Sequence, residues 1–132
     1  MTAIGKSNQQ RPSRQGNFVS SLKSEFSDKE YRHGYLGSFL ESVIAVQIRS
    51  LRIQRNLSQS ELASRMGVTQ STIARLEGGQ GIPTAKTLLR LAEAFDVALN
   101  VRFVTFDNML RDVSSFNPKR LRCRSYSSKG GA

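Results

Sequence analysis

From residue 27 onward, apolar and polar positions follow one another with a helical period. Ser27 and, three residues later, Glu30 have the form of a capping box, in which each side chain satisfies the other residue's backbone N–H. Beyond it Tyr31, Tyr35, Phe39 and Val43 recur every four residues, and Leu36, Leu40, Ile44, Ile48 and Leu51 form a second apolar row. That spacing predicts a helix to about Arg55, in one piece or in two separated near Gly37, with Asn56 as its stop. A further box, Ser58 with Glu61, opens a helix that carries Leu62, Ala63 and Met66 on one face and closes at Gly67, a residue free to turn left-handed. Thr69 caps the next helix, with Ile73 and Leu76 inward and Gly78 and Gly79 at its end. After the loop from Gly79 to Pro83, Thr84 caps another, whose Leu88, Leu91, Ala92 and Phe95 make a buried stripe. The period then drops from 3.6 to 2. Leu99, Val101 and Phe103 alternate with Asn100 and Arg102, predicting a half-buried strand over Ala98 to Phe106, and Asp107 to Val113 add a helical turn or two.

The pattern stops at both ends, and the charge collects there. Of a net charge of +10, four positive charges lie in residues 1–24 (Lys6, Arg11, Arg14, Lys23) and five in residues 115–132 (Lys119, Arg120, Arg122, Arg124, Lys129), with no acid in either stretch. Rich in Ser, Gln and Gly and poor in aliphatics, residues 1–26 and 114–132 are expected to be disordered basic arms that either bind phosphates or keep the chain in solution. A transit peptide is disfavoured because Gly5, Pro12 and Gly16 interrupt any amphipathic helix at the start. Residues 27–113 then make one small domain, as a length of 132 residues allows. The longest charge-free run, Met66 to Ala74, is far shorter than the roughly 20 apolar residues of a membrane span, so a soluble cytoplasmic protein is expected.

Enzyme chemistry has little to work with. His33 and Cys123 are each the sole residue of their kind, which removes cysteine zinc cages and intramolecular disulfides and leaves carboxylates almost alone as metal ligands. No catalytic residue, metal or cofactor is expected. His33 is better explained as a surface or packing residue than as a ligand, and Cys123, in a polar tail, as an incidental thiol. The excess of positive charge points instead to a polyanionic partner.

Residues 59–78 comprise two short helices joined by a tight turn, the spacing of a helix-turn-helix. Ala63 lies where the helices cross, Gly67 makes the turn, and Leu62, Met66, Val68, Ile73 and Leu76 form the shared core. Gln70, Ser71, Thr72 and Arg75 are left facing outward, a polar helix face of a width that suits a B-DNA major groove. Singly these residues are common on any solvated helix.

The stretch LSQSELASRMGVTQSTIARLEGGQGIPTAKTLLRLAEAFDV resembles the Cro and phage-repressor helix-turn-helix family, also called the XRE type. The resemblance covers about residues 43–97 and departs from the family pattern at Ala74, where many relatives have serine. It implies an all-α, lambda-repressor-like bundle, here with a single C-terminal β-strand. By position, Gln70, Ser71 and Arg75 match the family's base-reading residues, and Ser58, Gln59, Gly81 and Lys86 match places where relatives touch DNA phosphates. Arg52 and Glu77 match a structural ion pair, whose plainer reading is an exposed pair worth about 0 to 1 kcal/mol. The implied function is sequence-specific DNA binding by a transcriptional regulator, a repressor, associated with the nucleoid. The alternatives are an antitoxin that binds a toxin protein and autoregulates through the same motif, and an RNA-associated or coactivator scaffold. A homodimer is expected, either through antiparallel pairing of the strand with Leu99, Val101 and Phe103 at the seam, or through Tyr31, Tyr35 and Phe39 of the first helix.

Overall fold

The computed structural model of the chain describes residues 14–128, which form six helices and one short 3-10 turn. In chain order they are α1 (Arg14–Glu25), α2 (Lys29–Gln54), α3 (Gln59–Met66), α4 (Gln70–Glu77), α5 (Ala85–Phe95) and α6 (Phe106–Ser115), followed by the 3-10 turn Pro118–Leu121. No strand is present among the described residues.

The first apolar rows fold as one helix. With 26 residues, α2 is roughly 39 Å long at 1.5 Å per residue, and Gly34 and Gly37 sit inside it without breaking it. Its cap is Asp28 rather than Ser27. The Asp28 carboxylate accepts the Tyr31 backbone N–H at 2.7 Å, while Ser27 is used in closing the turn after α1, its N–H donating to the Ser24 carbonyl. The remaining caps fall where their residue types put them. Ser58 and Glu61 form a reciprocal box at α3, Thr69 and Thr84 cap α4 and α5, and Gly67 ends α3 at φ 65°, in the left-handed region.

Two cores result, and α2 runs through both. The first joins Ile48 of α2 to Leu62, Ala63 and Met66 of α3, Ile73 of α4, and Leu91 and Phe95 of α5. Ala63, 3% exposed, permits the close crossing of α3 and α4. The second joins Leu22 and Phe26 to Met109 and Leu110 of α6, with Tyr35, Leu36 and Phe39 from the first half of α2 packed against them. Phe26 meets Tyr35 and Phe106 edge-on, with ring centroids 5.4 and 5.6 Å apart.

This second core corrects the expectation of a disordered arm over residues 1–26. Residues 14–25 are helical, because Leu22 on that helix and Phe26 just past its end have Met109 and Leu110 of α6 to bury against. Residues 1–13 lie outside the described residues. The tail expected to be disordered over residues 114–132 is also docked, as far as residue 126, with polar contacts holding it to α2 and to the end of α5. Gln54 donates to the Leu121 carbonyl and accepts the Cys123 N–H, Arg55 donates to the Cys123 carbonyl, and the Tyr126 N–H donates to the carbonyl of Asp96. Residues 129–132 lie outside the described residues.

The expected strand is the main correction. From Ala98 to Val104 the chain is irregular and none of its backbone groups is hydrogen-bonded among the described residues, and Phe106, the expected strand end, opens α6. A strand exists only as half of a ladder, and no other segment of the described chain offers the second half. Tyr35 and Phe39, named for the alternative helical seam, pack inside their own chain.

Candidate nucleic-acid interface

α3 and α4 cross with their apolar faces inward, which leaves the start of α3 and the outer face of α4 to solvent. Ser58 is committed to its helix: its hydroxyl accepts the Glu61 N–H at 3.0 Å, and the Glu61 carboxylate accepts the Ser58 N–H at 3.2 Å. The hydrogen bond from the Ser58 backbone, helped by the Ser58 side chain, holds the Glu61 carboxyl below its ordinary range, so this acid stays charged at the head of α3.

A chain of side chains runs from α2 through the head of α3 to α4. Arg52 of α2 forks onto Glu77, Nε to Oε1 at 2.5 Å and Nη2 to Oε2 at 3.1 Å, and its Nη1 donates to the Leu57 carbonyl at 2.8 Å. Glu77 also accepts from Gln59 Nε2 at 2.8 Å, and Gln59 Oε1 accepts from Gln70 Nε2 at 2.7 Å. Burial pushes the Glu77 carboxyl up, yet the hydrogen bonds from Arg52 and Gln59 and the charges of Arg52 and Arg49 outweigh it, leaving the group below its ordinary value. The same bond raises the Arg52 guanidinium against the effect of its burial. Because Glu77 is an acceptor only, it takes the Gln59 amide nitrogen, and Gln59 therefore offers its oxygen to Gln70. Gln70 keeps one N–H and its carbonyl oxygen, the donor and acceptor pair that matches adenine N7 and N6.

Ser71 and Arg75 stand four residues apart on the exposed side of α4, next to Gln70 at its first turn. Gly81 lies in the loop before α5 at φ 81°, with open space on the side where a Cβ would stand, and Lys86 is exposed in the first turn of α5. No hydrogen bond or ion pair joins Gly81 or Lys86 to the α3–α4 set. Leu99, Val101 and Phe103 are elsewhere, on the segment between α5 and α6. The part played by Arg90 was not visible in the sequence: from α5 it donates to the Met66 carbonyl and so caps the end of α3. That pairing joins residues 24 apart, and no local pattern announces it. Gln59 is likewise more than an end-of-helix amide, since it couples the ion pair to Gln70.

The family model described as helix-turn-helix matches residues 48–101, from the last two turns of α2 to just past α5. Over 58 residues the chain is 34% identical to an uncharacterised HTH-type transcriptional regulator of Archaeoglobus fulgidus, covering 44% of this chain and 82% of that protein. The chain belongs to the XRE-type helix-turn-helix family. This helix-turn-helix protein is also 40% identical over 52 residues to the HTH-type transcriptional repressor RghR of Bacillus subtilis, covering 39% of this chain and 38% of the repressor. It is 33% identical over 58 residues to the ImmF control region 10 kDa protein of Bacillus phage phi105, covering 44% of this chain and 64% of that protein. The helix-turn-helix protein thus spans only 38% of the length of RghR, and 24% and 26% of the length of two proteins from Pyrococcus species named as HTH-type transcriptional regulatory proteins. No solved structure matches it significantly. None of its described helices is long and apolar enough to cross a membrane.

Proposed function

We propose that the protein is a sequence-specific DNA-binding transcriptional regulator, acting as a repressor at the nucleoid, with α4 as the helix that enters the major groove. One observation carries this reading: Gln70 is held at the head of α4 by Gln59, itself anchored on the Arg52–Glu77 pair, with Ser71 and Arg75 exposed beside it. A base-reading amide has to be fixed before it meets DNA, because an ordered side chain loses less entropy on binding. In this reading Gln70 is bidentate to adenine, Arg75 forks onto guanine and Ser71 takes the intervening contact. Ser58, Gln59, Gly81 and Lys86 touch phosphates and set the register.

A single recognition helix reads only a few base pairs, so the regulator works as a homodimer on two half-sites, with Leu99, Val101 and Phe103 at the seam. The antitoxin and RNA-scaffold readings have no observation in their favour, and none of the relatives named above is called an antitoxin. Selection of bound sites from random duplex DNA should yield a two-fold symmetric consensus. On that consensus Gln70→Ala and Arg75→Ala should each cost about 1 to 3 kcal/mol and leave non-specific binding nearly intact. Equal losses on random duplexes would refute the assignment of these residues.

A further inference from the structure

Phe103 has no exposed equal in the described chain. Its relative exposure is 105%, and Leu99, Val101 and Val104 beside it are also exposed. An aromatic ring left wholly in water forgoes the burial of roughly 150 Å² or more. The seven residues from Ala98 to Val104 make no backbone hydrogen bond in the described chain. Water can satisfy that exposed backbone, but the run of exposed apolar side chains marks an interaction surface.

Alongside it runs an apolar groove of about 430 Å³ between α2 and α5, walled by residues such as Val43 and Ile44 on one side and Leu88 and Ala92 on the other. The segment itself closes the groove: every residue from Val97 to Val104 lines it except Phe103. The ring therefore points away from the groove its own segment encloses. Each chain carries a protruding ring and an apolar slot on one short stretch of backbone.

We propose that Phe103 of one copy seats in the α2–α5 groove of a second copy, and reciprocally, closing a two-fold dimer around the 97–104 segment. A second copy is the occupant because ring and slot are adjacent, so one two-fold axis beside the segment brings both into register and an isologous contact is satisfied twice. A foreign peptide would fill the slot and leave Phe103 in water. The groove also carries one charge of each sign, Arg102 on the segment and Asp112 on α6, and a two-fold axis offers each the opposite charge of the other copy. The same approach gives the unpaired backbone of Ala98 to Val104 a partner running the other way. This inference rests on the proposed homodimer with its seam at Leu99, Val101 and Phe103, and adds the groove in which the Phe103 ring seats.

The test uses the full chain in sedimentation velocity over a range of concentrations, with DNA binding measured on a single half-site and on the full symmetric site. Phe103→Ala removes the ring. Gln47→Phe blocks the slot from an exposed position on α2 whose amide bonds only its own helix, at the Val43 carbonyl. Each should weaken the dimer on the order of 100-fold or more, because each change counts twice per dimer. Half-site affinity should stay unchanged and full-site affinity should fall. As a readout independent of stability, Phe103→Cys and Gln47→Cys chains, both carrying Cys123→Ser, should form a mixed disulfide dimer on gentle oxidation. A wild-type dimer that is indifferent to both substitutions, or that gives no mixed disulfide, overturns the seating and leaves the two-copy reading standing. A wild-type chain that stays monomeric at every concentration, and binds the full site no better than the half-site, overturns both.

Discussion

Glu77→Gln isolates the electrostatics that tie α4 to α2, because it keeps the shape of the side chain and removes its charge. The Glu77 and Arg52 side chains are 6% and 14% exposed, so the pair is neither a surface ion pair nor fully enclosed. Exposed pairs are worth about 0 to 1 kcal/mol, and loss of one member of a buried pair costs about 3 to 5 kcal/mol. Arg52 keeps the Leu57 carbonyl and at most one bond to the amide oxygen that replaces the carboxylate, so it loses the two-pronged contact and its counter-charge. The expected cost is about 2 to 3 kcal/mol, which for a domain of this size lowers Tm by roughly 10 °C. Stability should also change its response to acid. The folded carboxyl titrates below its ordinary value, so its contribution is complete above the unfolded pKa and disappears as pH falls through the folded one. Thermal melts of wild type and variant from neutral pH into acid should converge, with the gap widest at neutral pH. Arg52→Met in the Glu77→Gln background should recover part of the loss by removing the unpaired charge. A cost under about 1 kcal/mol at neutral pH, or parallel acid profiles, would refute the view that this pair organises the site.

Two further outcomes follow from single positions. Gly67→Ala places a side chain at φ 65° and should cost about 1 to 2 kcal/mol in a denaturant melt, since left-handed backbone is strained for any residue with a Cβ even where space is open. Lys86→Ala should weaken every duplex alike and reduce the magnitude of the salt slope by about 1, and a loss confined to the preferred site would contradict a phosphate role.

The core of the helix-turn-helix was legible because its signals are local. Ser58, Glu61, Gly67, Thr69 and Thr84 each act on backbone within four residues, and the apolar stripe of α5 repeats at its own helical period. Three things were not. α1 was obscured because its basic, Ser-rich composition resembles an unstructured arm, although Phe18, Leu22 and Phe26 recur every four residues. The tail resembles a free chain because the partners that dock it, Gln54, Arg55 and Asp96, are tens of residues away. The 98–104 segment alternates as a strand does, yet alternation describes side chains and a strand is defined by a backbone partner. At the site, the family resemblance pointed to Gln59, Gln70, Arg52 and Glu77, and only the geometry revealed them as one hydrogen-bonded chain.

The two cores make unequal contributions to the fold, and that inequality can be measured. The first gathers seven buried residues from four helices, whereas the second gathers four, and Phe26 at its centre is touched by Tyr31, Tyr35 and Phe106. α1 and α6 pack on each other and on the early turns of α2, and neither contributes a residue to the first core. Truncating a buried Phe costs about 3 to 5 kcal/mol, enough to open a layer this thin while the helix-turn-helix below it stays folded. Phe26→Ala should therefore give fast amide exchange in α1, α6 and the first turns of α2, with α3, α4 and α5 protected as in the wild type and half-site DNA affinity unchanged. The continuous backbone of α2 is the route by which damage could spread, since fraying from Lys29 would have to pass Gly34 and Gly37 before reaching Ile44 and Ile48. Those glycines weaken the helix locally, so fraying should pass them and stop where Ile44 and Ile48 are held by the first core. If all the helices exchange together with a single free energy, the two cores are one cooperative unit, and α2 transmits stability along its whole length.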